Sequence, residues 1–507
     1  MPRPGSLNHG RAVPTPTGRP RRAVQKRPGL DISELNRRAV RKGRLTGPQD
    51  GTPDPLDGVV ITEEFKEVRR LIQGGCPLVF VTGNAGTGKS TLIHYLKTTI
   101  RRGLAVVAPT GVAALNVGGV TIHSLFQFPH KIHSERDIKL CNRKLFAKLE
   151  LLIIDEVSML RCDLLDSIDA SLRRNRLKDI PFGGVQLLLA GDLFQLPPVV
   201  PRHEETILKS KGYQSEYFFS ACALQGNSLV PVELTSTYRQ ENADFVALLN
   251  RVRLAEDLES VVAELNRRCA DGGTFAPDVT LTCTNAKADE INTVELERLT
   301  TEAHSFTGTV EGRWGRIEED KLPSPLHLTV KVGARVMFTK NDEQGRRWVN
   351  GTLGIVSELG DGSIGVKLVG SRQGTVYDVR PATWERHRYY HDSETDEVQS
   401  EVVARYTQYP LMLAWAVTIH KSQGKTLDNV LVDLGYGSFA PGQVYVALSR
   451  CRSIEGIRLA RPIRESDIRC DPRVKRFYLA VADMTREKHR EARSIVVPIK
   501  DGAPGGE

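Results

Sequence analysis

Several things are scarce in this chain of 507 residues. Aromatic residues make up 6% of it, and only four are tryptophan. Eight cysteines are scattered with no C-x-x-C pair, so neither a zinc site nor a disulfide framework is signalled, and a reducing interior is the simplest compartment. No apolar run approaches the roughly 20 residues that a membrane span needs, so no membrane partner is expected. Acids are outnumbered: 61 Asp and Glu stand against 70 Lys and Arg, a formal charge of +9 that suits a polyanionic partner. The first thirty residues contain no acid at all. That absence raises a mitochondrial presequence, but repeated prolines argue against the amphipathic helix such a signal uses. Residues 1–57, rich in Pro, Gly and Arg, read instead as a disordered basic tail.

What is present is concentrated between Pro77 and Tyr95, PLVFVTGNAGTGKSTLIHY. A short apolar run reads as a buried strand, and GNAGTGKS follows with Gly83, Gly86, Gly88, Lys89, Ser90 and Thr91. TLIHYLKTTI then carries apolar residues at helical spacing. Strand, glycine loop and helix start together let backbone N–H groups and a helix N-terminus surround a triphosphate. Lys89 would reach the β and γ phosphates, and Ser90 would hold Mg²⁺. Upstream, ITEEFKEVRRLIQ predicts an amphipathic helix with Thr62 as its N-cap and Phe65 on its apolar face.

Three further strands are predicted at Leu104–Ala108, Leu151–Glu156 and Val185–Ala190, each presenting polar residues at its exit. Thr110 opens a helix after the first, followed by Thr121 and His123. LLIIDE places Asp155 and Glu156 where a P-loop enzyme presents its Mg²⁺ carboxylate and its general base. GDLFQLPP carries Gln195, which can hydrogen-bond a γ-phosphate without charge. The pattern is that of an open parallel sheet with its site at the carboxyl edge, an α/β lobe over 58–205.

The second half repeats strand-then-polar units without a second P-loop. PVELTSTYRQ, DVTLTCTNAKADEIN and AWAVTIHKSQGKTLDNVLVDL are assigned to a second lobe over 206–328 and 406–462. Arg239, Arg450, Gln423 and Gly424 sit at loop or helix-start positions there, so an arginine supplied across a cleft could couple lobe closure to hydrolysis. Between 329 and 405, short alternating segments with turn signals at 350–351 and 361–362 predict a small inserted β-barrel. Residues 463–507 read as a charged C-terminal tail.

In order, GNAGTGKS, APTGVAALNVGGVTIHS, IIDEVSML, GDLFQLPP, TYRQ, HKSQGKT and YVALSR resemble the Pif-type helicases of superfamily 1, DNA motors related to RecD and phage Dda. The resemblance spans about 60–460. It implies two RecA-like lobes, a wedge element within 126–148, an inserted Src-homology-three-like barrel, and 5′ to 3′ translocation on single-stranded DNA driven by ATP with Mg²⁺. By that resemblance Gln195, Arg239 and Arg450 sense the γ-phosphate, while Thr110, Thr121, His123, Thr418, His420 and Lys421 line the DNA track. Forked DNA, G-quadruplexes and RNA–DNA hybrids are the implied structured partners, with a monomer acting alone. The implied setting is bacterial or phage-like cytoplasm at the nucleoid, or a mitochondrion or nucleus if the source is eukaryotic. One departure stands out: Phe65 occupies the place where the family has an adenine-reading glutamine, which puts selectivity for ATP in question. Rival readings are a RecD-like translocase without unwinding, a DNA-stimulated ATPase switch, and an assembly ATPase with a protein partner.

Overall fold

Runs of valine, leucine and isoleucine with no polar face build the first sheet, as strands buried on both sides require. In the computed structural model these are β1 (Leu78–Gly83), β2 (Leu104–Ala108), β3 (Val120–Thr121), β4 (Leu151–Ile154), β5 (Gln186–Ala190) and β6 (Val230–Leu234). They pair in parallel in the order β3-β2-β4-β5-β1-β6. The structure describes residues 60–494 apart from 101, 130, 142, 241, 271–274, 313–321, 343–346, 361, 371–374 and 393–396. The expected disordered tail over 1–57, Asp361 of the second turn signal and residues 495–507 lie outside the described residues.

Helix α1 (Glu63–Gln73) starts where Thr62 predicted, its hydroxyl accepting from Phe65 N–H at 3.3 Å. Its buried face, Phe65, Val68 and Ile72, packs beside β1 and β6; each such side chain contributes about 1.5–3 kcal/mol by leaving water.

The strand in PVELTSTYRQ is a correction. Its sequence places it with the second lobe, yet β6 pairs with β1 and closes the edge of the first sheet. Pro231 lies opposite Phe80 on that strand, and an edge is where a sheet tolerates a residue that cannot donate. The apolar run identified a strand; nothing in it specified which sheet it would join.

The second lobe holds β7 (Val279–Thr282), β8 (Ala416–Thr418), β9 (Val430–Asp433) and β10 (Ile457–Leu459), all parallel, in the order β8-β7-β9-β10. Two parallel sheets flanked by helices make the fold α/β and RecA-like. Between β7 and β8 the chain turns antiparallel. Strands 335–338, 353–360, 363–368 and 376–379 form a meander edged by 411–413. Strands 382–392 and 397–408 form a long hairpin that also pairs with 309–312. Antiparallel pairing therefore reaches beyond the expected 329–405 on both sides, because strands distant in sequence complete each sheet. The meander has its own core around Val336, Phe338, Trp348, Val356 and Ile364.

Two other segments are placed by aromatic contacts, and the second differs from its sequence reading as a tail. In 126–148, Phe126 stacks on both Phe128 and Phe146 at 5.3 Å, which anchors the candidate wedge in the main core. Within 463–507, a helix over Pro472–Ser494 packs on the first lobe: Phe477 stacks on Phe219 at 4.5 Å and approaches Phe80 at 6.0 Å. Among the described residues no helix is long and apolar enough to cross a membrane.

Candidate nucleotide site and nucleic-acid face

The loop leaving β1 is shaped by positive φ at Gly83 (153°), Gly86 (85°) and Gly88 (87°), a region that side chains other than glycine's rarely adopt. Space is equally restrictive. A Cβ on Gly86 would lie 2.6 Å from the Cβ of Arg239, and one on Gly83 would lie 2.6 Å from the Leu234 carbonyl oxygen. Helix α2 (Lys89–Thr99) begins at once, with Ser90 exposed and Thr91 half-buried in its first turn. Lys89 Nζ donates to the carbonyls of Gly83 (2.8 Å) and Asn84 (2.9 Å), and burial pulls its pKa below the usual lysine range. Phe65 lies under this loop, its ring edge 3.4 Å from where a Gly88 Cβ would stand. At 2% exposure it packs and presents no polar edge.

The exits of β4 and β5 bring the acids and the amide. Asp155 is 5% exposed and accepts from Glu156 N–H at 2.9 Å. Burial, then the neighbouring Glu156 carboxylate, push its pKa up to about 7. Glu156 sits at φ 52°, a left-handed conformation for a residue with a side chain, and burial raises its pKa too. Gln195 is 6% exposed and donates to Asp192 at 3.3 Å.

The second lobe closes this site. Gln423 Nε2 donates to Glu156 Oε2 and to Gln195 Oε1, both at 3.1 Å, which uses both hydrogens of its amide. Arg450 is 1% exposed, and its guanidinium donates to Val446 O and Ser449 Oγ. Burial lowers its pKa, while Glu156 is among the groups that favour its charge. Arg239 needs a second correction. Leaving β6, it belongs to the first lobe by connectivity and reaches toward the second, donating to Thr426 Oγ1 and Ser449 O at 3.1 Å. Burial, then Arg450, bring its pKa down to about 9. Gly424 turns with φ 78° and lends its carbonyl to Arg239 at 3.5 Å.

Sequence reasoning passed over the groups that knit these parts together. Asp192 is fully buried and ion-paired with Arg253 at 3.2 Å, and Arg253 lies over the rings of Phe194 (4.3 Å) and Tyr478 (4.9 Å). Burial alone would raise the Asp192 pKa; Arg253, Lys89 and Tyr445 together hold it below the carboxylate range. Tyr445 OH donates to Asp192 at 2.9 Å and accepts from Ala85 N–H at 3.1 Å. Asp192 and Tyr445 both lie inside motifs already singled out, GDLFQLPP and YVALSR. Arg253 and Asn250, which accepts from Asn84 at 2.8 Å, carry no such signal.

The candidate DNA residues follow the carboxyl ends of β2 and β3 in the first lobe and of β8 in the second. Thr110 and Thr121 act as N-caps, accepting from Ala113 and Ser124 N–H at 3.2 Å, and His123 lies half-buried two residues after Thr121. Lys421 is exposed, and His420 is half-buried with its pKa lowered by burial. Thr418 is 3% exposed, and its hydroxyl accepts from Lys421 N–H at 3.2 Å, so it shapes the turn that carries His420 and Lys421. The long antiparallel hairpin flanks this face, with Arg386 donating to Ser124 and Tyr389 OH accepting from Val106 N–H.

Chemistry divided between two parallel sheets in this way is that of a P-loop nucleoside triphosphatase with RecA-like lobes. Comparisons with known proteins narrow the class. A family model described as PIF1-like helicase matches residues 61–261. The chain is 34% identical to the rat ATP-dependent DNA helicase PIF1 over 433 residues, 82% of this chain and 64% of the rat protein. It is 32% identical to ATP-dependent DNA helicase Pif1 of Bdellovibrio bacteriovorus over 84% of this chain and 93% of that protein. Bacteroides sp Pif1 is 37% identical; its complex with ADP-AlF4 superposes with a TM-score of 0.76 over 84% of this chain and 98% of its own, and its form bound to ssDNA with 0.59 over 86% and 98%. The chain belongs to the PIF1-like helicase family. It spans less than two thirds of the length of the mammalian relatives.

Proposed function

We propose that the protein is an ATP-dependent DNA helicase that translocates 5′ to 3′ on single-stranded DNA and unwinds duplex or structured DNA. The observation that carries this reading is Gln423, a second-lobe side chain bonded simultaneously to Glu156 and Gln195 of the first. A strand gripped by both lobes would feel any change at that junction. The relatives whose names include DNA helicase, the Bacteroides Pif1 structure bound to ssDNA, and a Pif1 structure described as addressing DNA unwinding at forked dsDNA support the choice of polymer.

The residues present fit a triphosphate with Mg²⁺. Three glycines open the loop, Lys89 donates to carbonyls it can exchange for phosphate oxygens, and the buried Asp155 carboxylate lies close enough to Lys89 to feel its charge. Gly86, Gly88, Lys89 and Thr91 would hold the phosphates, and Ser90 and Asp155 the cation, which supplies charge neutralisation at the transferred phosphoryl group. Glu156, which accepts a hydrogen bond from Gln423 beside Asp155, would take the proton of the attacking water. Gln195, Arg239 and Arg450 would register the γ-phosphate, and Gln423 would report it to the second lobe. Phe65 gives the adenine edge no donor or acceptor, so base selectivity should be weak.

On the DNA face, Thr110, Thr121, His123, His420 and Lys421 would hold backbone phosphates, with low sequence preference and a steep salt dependence. Hydrolysis moves the chain only if the two lobes grip the strand differently in their two states. Duplexes with a 5′ or a 3′ single-stranded overhang, with and without ATP, test activity and polarity together. Unwinding of the 5′-tailed substrate alone is the expected result. Hydrolysis that is unaffected by single-stranded DNA would sink the reading in favour of an assembly ATPase.

A further inference from the structure

We infer that Tyr445 is a positioning residue that pins the phosphate loop to the second lobe and thereby sets where Arg450 stands. The inference deepens the ATPase reading above and rests on it. Ala85 lies inside the loop, 5% exposed, and its N–H donates to a phenol 360 residues further along the chain. The direction of the relay is forced. An amide can only donate and a carboxylate can only accept, so the Tyr445 hydroxyl must accept from Ala85 and donate to Asp192. Asp192 is simultaneously the acceptor for Gln195 Nε2 and the partner of Arg253. One carboxylate thus joins the loop, through Tyr445, to the amide proposed to sense the γ-phosphate.

The helix that carries Tyr445 (Gln443–Leu448) is seated by contact as well as by hydrogen bonds. It starts from Gly442 at φ 77°, where a Cβ would come within 2.4 Å of Phe194 O and 2.7 Å of Gln195 O. Only glycine allows this helix start to sit so close to the β5 exit. Arg450 follows just beyond the helix, and its Nε donates back to Val446 O. A helix fixed at Tyr445 therefore fixes the guanidinium too. Should the second lobe withdraw, Ala85 N–H would lose its partner and Asp192 Oδ2 would lose the shorter of its two hydrogen bonds.

The test is Tyr445→Phe, which keeps the ring in its buried site and removes only the hydroxyl. Amide hydrogen exchange of the peptide spanning 83–89, measured without nucleotide or DNA, should quicken about tenfold. Steady-state hydrolysis with saturating oligo-dT should lose about tenfold in kcat, with KM for ATP, oligo-dT affinity and melting temperature held within about twofold or a few degrees. Unchanged loop protection would overturn the inference. So would a parallel loss of melting temperature, DNA affinity and hydrolysis, the mark of a purely structural tyrosine. A wild-type chain that fails to hydrolyse ATP would defeat the ATPase reading, while the exchange measurement still decides whether Tyr445 holds the loop.

Discussion

At the exit of β1 the first lobe presents backbone, with Gly83, Gly86 and Gly88 at positive φ; the second lobe meets the same site with side chains, Gln423, Tyr445 and Arg450. Both lobes are parallel sheets with polar exits, so the architecture alone does not assign them different tasks. The difference lies in what each can exchange. Backbone amides and a lysine resting on carbonyls can be handed to phosphate with little rearrangement. A guanidinium or amide from the other sheet changes partners only if the sheets shift, so the second lobe is suited to reading the state of the first.

Lys89→Ala should break the first-lobe side of this contrast outright. Hydrolysis measured with oligo-dT should fall by at least about a hundredfold, since a charge on the transferred phosphoryl group is removed. Arg450→Ala tests the other side. A loss of about a hundredfold in kcat with oligo-dT affinity kept within a few-fold is expected, and normal hydrolysis would show that the second lobe does not read the phosphate.

Lys425 sharpens the comparison at the junction between the second lobe and the antiparallel insert. It is 8% exposed, with Nζ 3.1 Å from Met337 Sδ and its stem against Gly351. Burial, then Lys421, bring its pKa down to about 8. A lysine whose folded pKa is depressed binds its proton more tightly unfolded, so the protein should gain stability as pH rises from about 8 to about 10.5. Lys425→Met should remove that gain and stabilise the chain by about 3 kcal/mol at neutral pH, read from urea midpoints at pH 7 and pH 10. A smaller effect is expected from Lys421→Ala: one phosphate contact fewer, an affinity loss of about fivefold, and a salt slope shallower by roughly 0.7 in fluorescence anisotropy with oligo-dT.

The nucleotide half of the candidate site was legible because its chemistry is local. A glycine loop must lie between its strand and its helix, and an acid pair must end an apolar strand, so Lys89, Ser90, Asp155 and Glu156 are found by spacing. Strand membership was less legible. PVEL reads equally well as part of either sheet, and only its pairing with β1 decides. Thr418 shows a similar limit, since a threonine beside His420 and Lys421 gives no sign whether its hydroxyl faces a ligand or the adjacent N–H. The 472–494 helix was hidden by its charge, although Phe477 and Tyr478 supply the contacts that hold it against Phe219 and Arg253.

By itself the sequence determined the strands, the phosphate loop, the order of the motifs and the family, because each depends on residues within one short stretch. Tertiary structure decided which residues meet: Tyr445 with Ala85, Gln423 with Glu156, Arg253 with Asp192. Those pairs are 61 to 360 positions apart, and a hydrogen bond between such residues is specified by how two sheets pack, which no local pattern encodes.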